Sequence, residues 1–166
     1  MENELRIKNC LNIAVSKTME DMAFEEVERI EDSSIQLPPE NPVLWATLKI
    51  LQPIEGEISI RLSPDCGATL THGLYGDLEG ELSDNTINDA LAEVVNTIAG
   101  CFMKELSPPT ENFELGLPRV GRNSLADMPA MDFSITYDLS GQLMTVSMSQ
   151  SNEPIDDKCN INGGSL

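Results

Sequence analysis

INDALAEVVNTIAGCFMKEL, residues Ile87–Leu106, is the stretch on which the reading of this chain turns. At a helical period, Ile87, Leu91, Val94, Ile98 and the Cys101/Phe102 pair form one apolar stripe. Asp89, Glu93, Asn96 and Gly100 fall on the opposite face, each three or four residues from the next. Asn and Gly are poor helix formers, costing roughly 0.5–1 kcal/mol each in a helix interior relative to Ala. A helix that turns both outward has either a local tolerance or an external use for them. The external use is the better explanation.

Working outward, Ser83 and Asp84 are alternative caps for this helix, and Ser107-Pro108-Pro109 closes it. Before it lie an acidic connector, Asp77–Asn85, and a helix over Asp65–Leu74, started by Ser63-Pro64 and ended by Gly73 and Gly76. Val43–Leu51 and Glu57–Leu62 read as two strands of a hairpin turning through Pro53–Gly56. Leu5–Met22 reads as a first amphipathic helix, and Phe24–Ile30 alternates as a strand should. Glu31–Pro42, with two serines and three prolines, is a loop. After the long helix come a strand over Phe113–Val120, a loop over Arg122–Pro129, and a last hairpin, Met131–Tyr137 with Gln142–Met148. The expected fold class is α+β, a largely antiparallel sheet with two long helices packed on it. Residues 1–150 are expected to form one domain and 151–166 a polar tail.

Composition narrows the function. The chain has 166 residues, enough for one domain with a real core, and a net charge of −18. Such a charge opposes nucleic acid and anionic membrane surfaces, so any phosphorylated partner must be engaged by local complementarity. No apolar run approaches a membrane span, and Met1–Ile7 lacks a signal-peptide pattern, so a cytoplasmic protein is expected. Four scattered cysteines without a CxxC are read as reduced thiols, Cys101 as a small core residue.

The long helix, with Glu93-Val94-Val95-Asn96 followed by Thr97-Ile98-Ala99-Gly100 and Lys104, resembles the E-x-x-N helix of the CheC/CheX/FliY family of chemotaxis phosphatases. Downstream, Phe113–Val120 is similar to the strand and Leu-Pro-x-Val turn that follow this helix in the family, and Gly56–Leu62 with Ser63-Pro64 resembles its strand and helix start. The likeness runs over most of residues 5–150 and is specific from about 85 to 122. It departs from the family in the long acidic connector and the short strand segment after Arg122.

The resemblance implies a phosphatase acting on the aspartyl phosphate of a CheY-type response-regulator receiver. Hydrolysis needs a water held in line with the leaving carboxylate, and charge neutralised on the equatorial oxygens. The receiver brings Mg2+ and a lysine for that charge, so no cofactor of the chain's own is implied. Asn96 would orient the water, its amide offering both an acceptor and a donor. Glu93 would pair with the receiver's lysine. Asp89 is either a docking contact or a solvated acid, and Gly100 either admits the partner closely or packs against another helix. One E-x-x-N helix suggests one site per chain, more like CheX than like two-site CheC members, since Leu5–Met22 carries no matching pair. The resemblance also admits a homodimer through the sheet.

The alternative is a non-catalytic module on the same fold that recognises a receiver, flagellar or receptor component. Other constellations fail. The single histidine, His72, has no zinc-ligand spacing and reads as a helix-end residue. No Walker A or G-x-G-x-x-G motif is present, and Lys158–Gly163 misses a calcium loop at its first ligand. Trp45, Met22, Met103, Met144 and Met148 are read as packing residues more readily than as an interaction surface.

Overall fold

Alternating apolar and polar residues make the strands two-faced, and the strands join in one sheet whose apolar face carries the helices. The computed structural model describes residues 1–32, 34–35, 42–123 and 130–151. Helix α1 (Glu2–Thr18) continues as a π turn over Met19–Ala23. Then come β1 (Val27–Ile30), β2 (Leu44–Gln52), β3 (Gly56–Leu62), α2 (Pro64–Tyr75) and α3 (Asp84–Leu106). The chain goes on with β4 (Glu114–Leu115), β5 (Arg119–Arg122), β6 (Phe133–Leu139) and β7 (Gln142–Gln150). The strand order is β1-β6-β7-β3-β2-β4, with β5 also on β2, and every pairing is antiparallel. The architecture is α+β, as the pattern of elements implies.

Leu44, Ala46, Leu48 and Ile50 of β2, Ile58, Ile60 and Leu62 of β3, and Met144, Val146 and Met148 of β7 form the helix-facing layer. They meet Leu11, Ala14 and Val15 of α1 and Leu91, Val94, Ile98 and Phe102 of α3 in a single core. On the other face, Thr47, Ser59, Ser147 and Ser134 stand in register across four strands, the last two hydroxyls 2.7 Å apart. Met103, Met144 and Met148 are fully buried and Trp45 nearly so, its ring lying over Gly121. These are packing residues.

The structure departs from the pattern reading in several places, and β6 is Phe133–Leu139 where the pattern predicts Met131–Tyr137. Phe24–Ile30 alternates, yet only Val27–Ile30 is strand, because Phe24 adopts the left-handed conformation (φ 54°) that closes the π turn. Glu25 N–H then donates to the Met19 carbonyl at 3.1 Å, and the chain leaves the helix before extending. Phe113–Val120 likewise does not form one strand. Gly116 N–H donates to the Lys49 carbonyl at 2.7 Å, but Pro118 has no N–H to give, and the ladder on β2 breaks into β4 and β5. The segment read as a loop from Arg122 begins one residue later, since Arg122 ends β5. Residues 124–129 of that loop, 152–166 of the tail, and Cys159 lie outside the described residues.

Cys10, Cys66 and Cys101 are free thiols. Burial pushes the Cys66 thiol up to about 12, with the Asp138 carboxylate adding in the same direction. Folding therefore favours the protonated thiol. Its contribution is whole below the ordinary thiol value of 9.0 and is lost as pH rises toward 12. Stability measured in urea should fall across that window, and Cys66→Ala should flatten part of the slope. An unchanged slope would contradict the burial of this thiol.

Candidate functional site

Helix α3 is fixed at both ends and along one side. The Ser83 hydroxyl accepts from Thr86 N–H at 3.1 Å, so Ser83, not Asp84, is the cap. Asp84 becomes the first helical residue and pairs with Arg122 of β5 at 3.0 Å. At the other end, Arg6 of α1 donates to the Leu106 carbonyl at 2.8 Å, satisfying one of the orphan acceptors of the last turn. The buried side is wider than the apolar stripe alone: Ala90, Val95, Ala99 and Met103 are buried beside Ile87, Leu91, Val94, Ile98 and Phe102. Cys101, by contrast, is only half-buried. The result is a 23-residue helix that cannot easily roll or slide on its bed.

The outward strip carries all four residues singled out from the sequence. Asp89, Glu93 and Asn96 are exposed and Gly100 is half-buried. Glu93 and Asn96 are one helical step of three residues apart, about 4.5 Å along the axis. The Asn96 amide makes no hydrogen bond to any described residue, which leaves both its donor and its acceptor for an external group. A Cβ built on Gly100 would meet nothing within 4 Å, so this glycine is not a helix-packing contact. Gly100→Ala should therefore stabilise the protein by about 0.5–1 kcal/mol in a urea titration, by helix propensity alone. A loss of stability would mean that the position is packed after all.

One residue of the site was not foreseen. Tyr75, the last residue of α2, donates from its phenol to Glu93 Oε2 at 3.2 Å. Partial burial, the hydrogen bond to Glu93 and the charges of Glu93 and Asp89 all hold the phenol above its ordinary pKa, so it stays a donor. The contact joins positions 18 residues apart on different helices, and no local spacing announces it. The only hint in the sequence is a tyrosine placed directly before Gly76, where α2 must stop. Helix α2 begins on the Ser63 cap, whose hydroxyl accepts from Cys66 N–H at 3.2 Å. It ends with His72 Nδ1 at 3.4 Å from the Gly76 carbonyl, so His72 is a helix-end residue.

The strip is acidic and bears an uncommitted amide. It suits a cationic group of a partner and a small polar molecule to be oriented beside it. Among the described residues no group of three or more His, Cys, Asp or Glu side chains could hold a metal ion. No helix among them is long and apolar enough to cross a membrane.

A profile of the family described as Chemotaxis phosphatase CheX matches residues 44–140, well over half of the chain. The chain belongs to the CheX family. The matched region contains α2, α3 and β2 to β6; α1, β1 and β7 lie outside. Similar solved structures extend the CheX likeness over most of the chain. The chemotaxis protein CheX from Desulfovibrio desulfuricans is 18% identical, with a TM-score of 0.69 over 87% of this chain and 99% of that one. The CheX from Vibrio vulnificus is 12% identical, with a TM-score of 0.69 over 87% and 96% of the two chains. A chain in the CheX-CheY-BeF3-Mg2+ complex from Borrelia burgdorferi is 17% identical, with a TM-score of 0.61 over 86% and 96%. At these identities the likeness shows the CheX fold. No curated protein sequence matches the chain significantly.

Proposed function

We propose that this CheX-family protein dephosphorylates the aspartyl phosphate of a CheY-type response-regulator receiver, with Asn96 and Glu93 as its working pair. The observation that carries the reading is the outward pair itself, an uncommitted amide beside an oriented carboxylate on a helix held at both ends. Membership of the CheX family supports the chemistry, and the Borrelia burgdorferi CheX-CheY-BeF3-Mg2+ complex supports a receiver as partner.

Glu93 would meet the receiver's lysine and seat α3 over the phosphorylation pocket. Asn96 would accept from and donate to a water, holding it in line with the aspartyl oxygen that leaves. Mg2+ and the lysine, both the receiver's, would supply the charge neutralisation. Neither Asn96 nor Glu93 has to titrate, because the contribution is one of position. Asp89 would extend the acidic strip toward the receiver's basic groups, and Gly100, open above its Cα, would let the receiver backbone come close.

The test is to mix the protein with phosphorylated receivers from its own genome and follow loss of acyl phosphate. Acceleration for at least one receiver, lost in Asn96→Ala, is the expected result. A folded protein that binds a receiver yet accelerates none would overturn the catalytic reading in favour of a binding module.

A further inference from the structure

We infer that Tyr75 is the positioning residue of this site, holding the Glu93 carboxylate in the one orientation that a docking cation can use. The inference rests on the proposed role of Glu93 and adds to it a residue that neither the family helix nor its spacing contains.

Glutamate on an exposed helix face has three rotatable bonds and samples several rotamers. Fixing such a chain on docking costs binding free energy each time a partner arrives. Here part of that ordering exists before docking. The phenol of Tyr75 donates to Oε2 at 3.2 Å, which leaves Oε1 for a partner. The donor is itself well anchored. Tyr75 ends α2, whose C-cap, Gly76, has φ 78° and donates its N–H to the His72 carbonyl at 2.8 Å. Two residues earlier, Gly73 lies so close to the π turn that a Cβ there would come within 2.6 Å of the Ala23 carbonyl oxygen and 3.0 Å of its Cα. The end of α2 is thus wedged between the π turn and α3, and the tyrosine reaches Glu93 from a fixed base.

The charges favour this arrangement. Partial burial, then the hydrogen bond to Glu93 and the charges of Glu93 and Asp89, raise the phenol's pKa, so Tyr75 keeps its proton and donates to the carboxylate. Tyr75 is 41% exposed, so the contact forms at the surface of the strip. Tyr75→Phe removes the donor and keeps the ring, which makes it the clean variant.

Two readouts test the inference. The first needs no partner: side-chain coupling constants of Glu93 by NMR, in wild type and Tyr75→Phe. A single dominant rotamer in wild type that becomes averaged in the variant is expected. The second is steady-state dephosphorylation of the phosphorylated receiver. Here KM should rise by about three- to tenfold with kcat within about twofold, the pattern of lost preorganisation. The melting temperature should stay put, since the hydroxyl is partly exposed. Glu93 couplings that are the same in both proteins would overturn the inference, and so would a loss confined to kcat. Should wild type accelerate no receiver while the couplings still respond, the contact stands and the phosphatase reading falls. The two failures are therefore distinguishable.

Discussion

Replacing Asn96 by alanine should lower the rate of receiver dephosphorylation by about 100-fold or more, while receiver binding stays within about twofold. The size follows from what the amide is asked to do. Removing a single preorganised polar group that acts on the reacting atoms typically costs about 100- to 1,000-fold in kcat. Asn96 is not part of the core: its side chain is exposed and bonds no described residue. Alanine is also the better helix former, so the variant should fold at least as well as wild type. Binding should be preserved because Glu93, Asp89 and the Gly100 opening are left as they were. Single-turnover measurement at saturating protein separates the two quantities, reading the chemical step apart from affinity. A variant with wild-type kcat would mean that the water is oriented elsewhere.

The second large effect concerns stability. Phe102→Ala should cost about 3–5 kcal/mol, the range for emptying a fully buried aromatic site. Phe102 is 0% exposed, at the end of the buried stripe of α3 where that helix crosses α1. Its surroundings cannot collapse readily, because Arg6 ties the end of α3 to α1 and Lys17 of α1 pairs with Glu105 at 3.7 Å. The exposed ion pair contributes little by itself. The urea midpoint should drop with the slope unchanged. A loss under about 1.5 kcal/mol would mean that the α1–α3 contact repacks around the gap.

These two substitutions sit six residues apart on one helix, and that helix was also the most legible part of the chain. Its apolar period is long and regular, and the residues that break the pattern, Asn96 and Gly100, are the ones that face outward. The β2–β3 and β6–β7 hairpins were legible for similar reasons: alternation within each strand and turn residues between them. The failures were local. Phe24 occupies a left-handed cap that glycine would normally take, and with 85% exposure its side chain gains no burial in return, so nothing in its own chemistry marks the turn. The split of β4 from β5 was written in Pro118, but a proline near a strand signals an edge as readily as a break. Tyr75 was out of reach altogether, since a contact between two helix faces belongs to the tertiary structure and not to any window of sequence.

The two-sidedness of α3 has a further consequence, for time rather than shape. The backbone that carries Asn96 lies between Val95 and Ile98, both fully buried, so its amides should be among the better protected in hydrogen exchange. On the proposed reading, the backbone that presents Glu93 and Asn96 would be in place whenever the helix is folded. If a receiver is the partner, it would meet a helix already set, and a change of receiver would be accommodated at the borders of the helix more easily than along it.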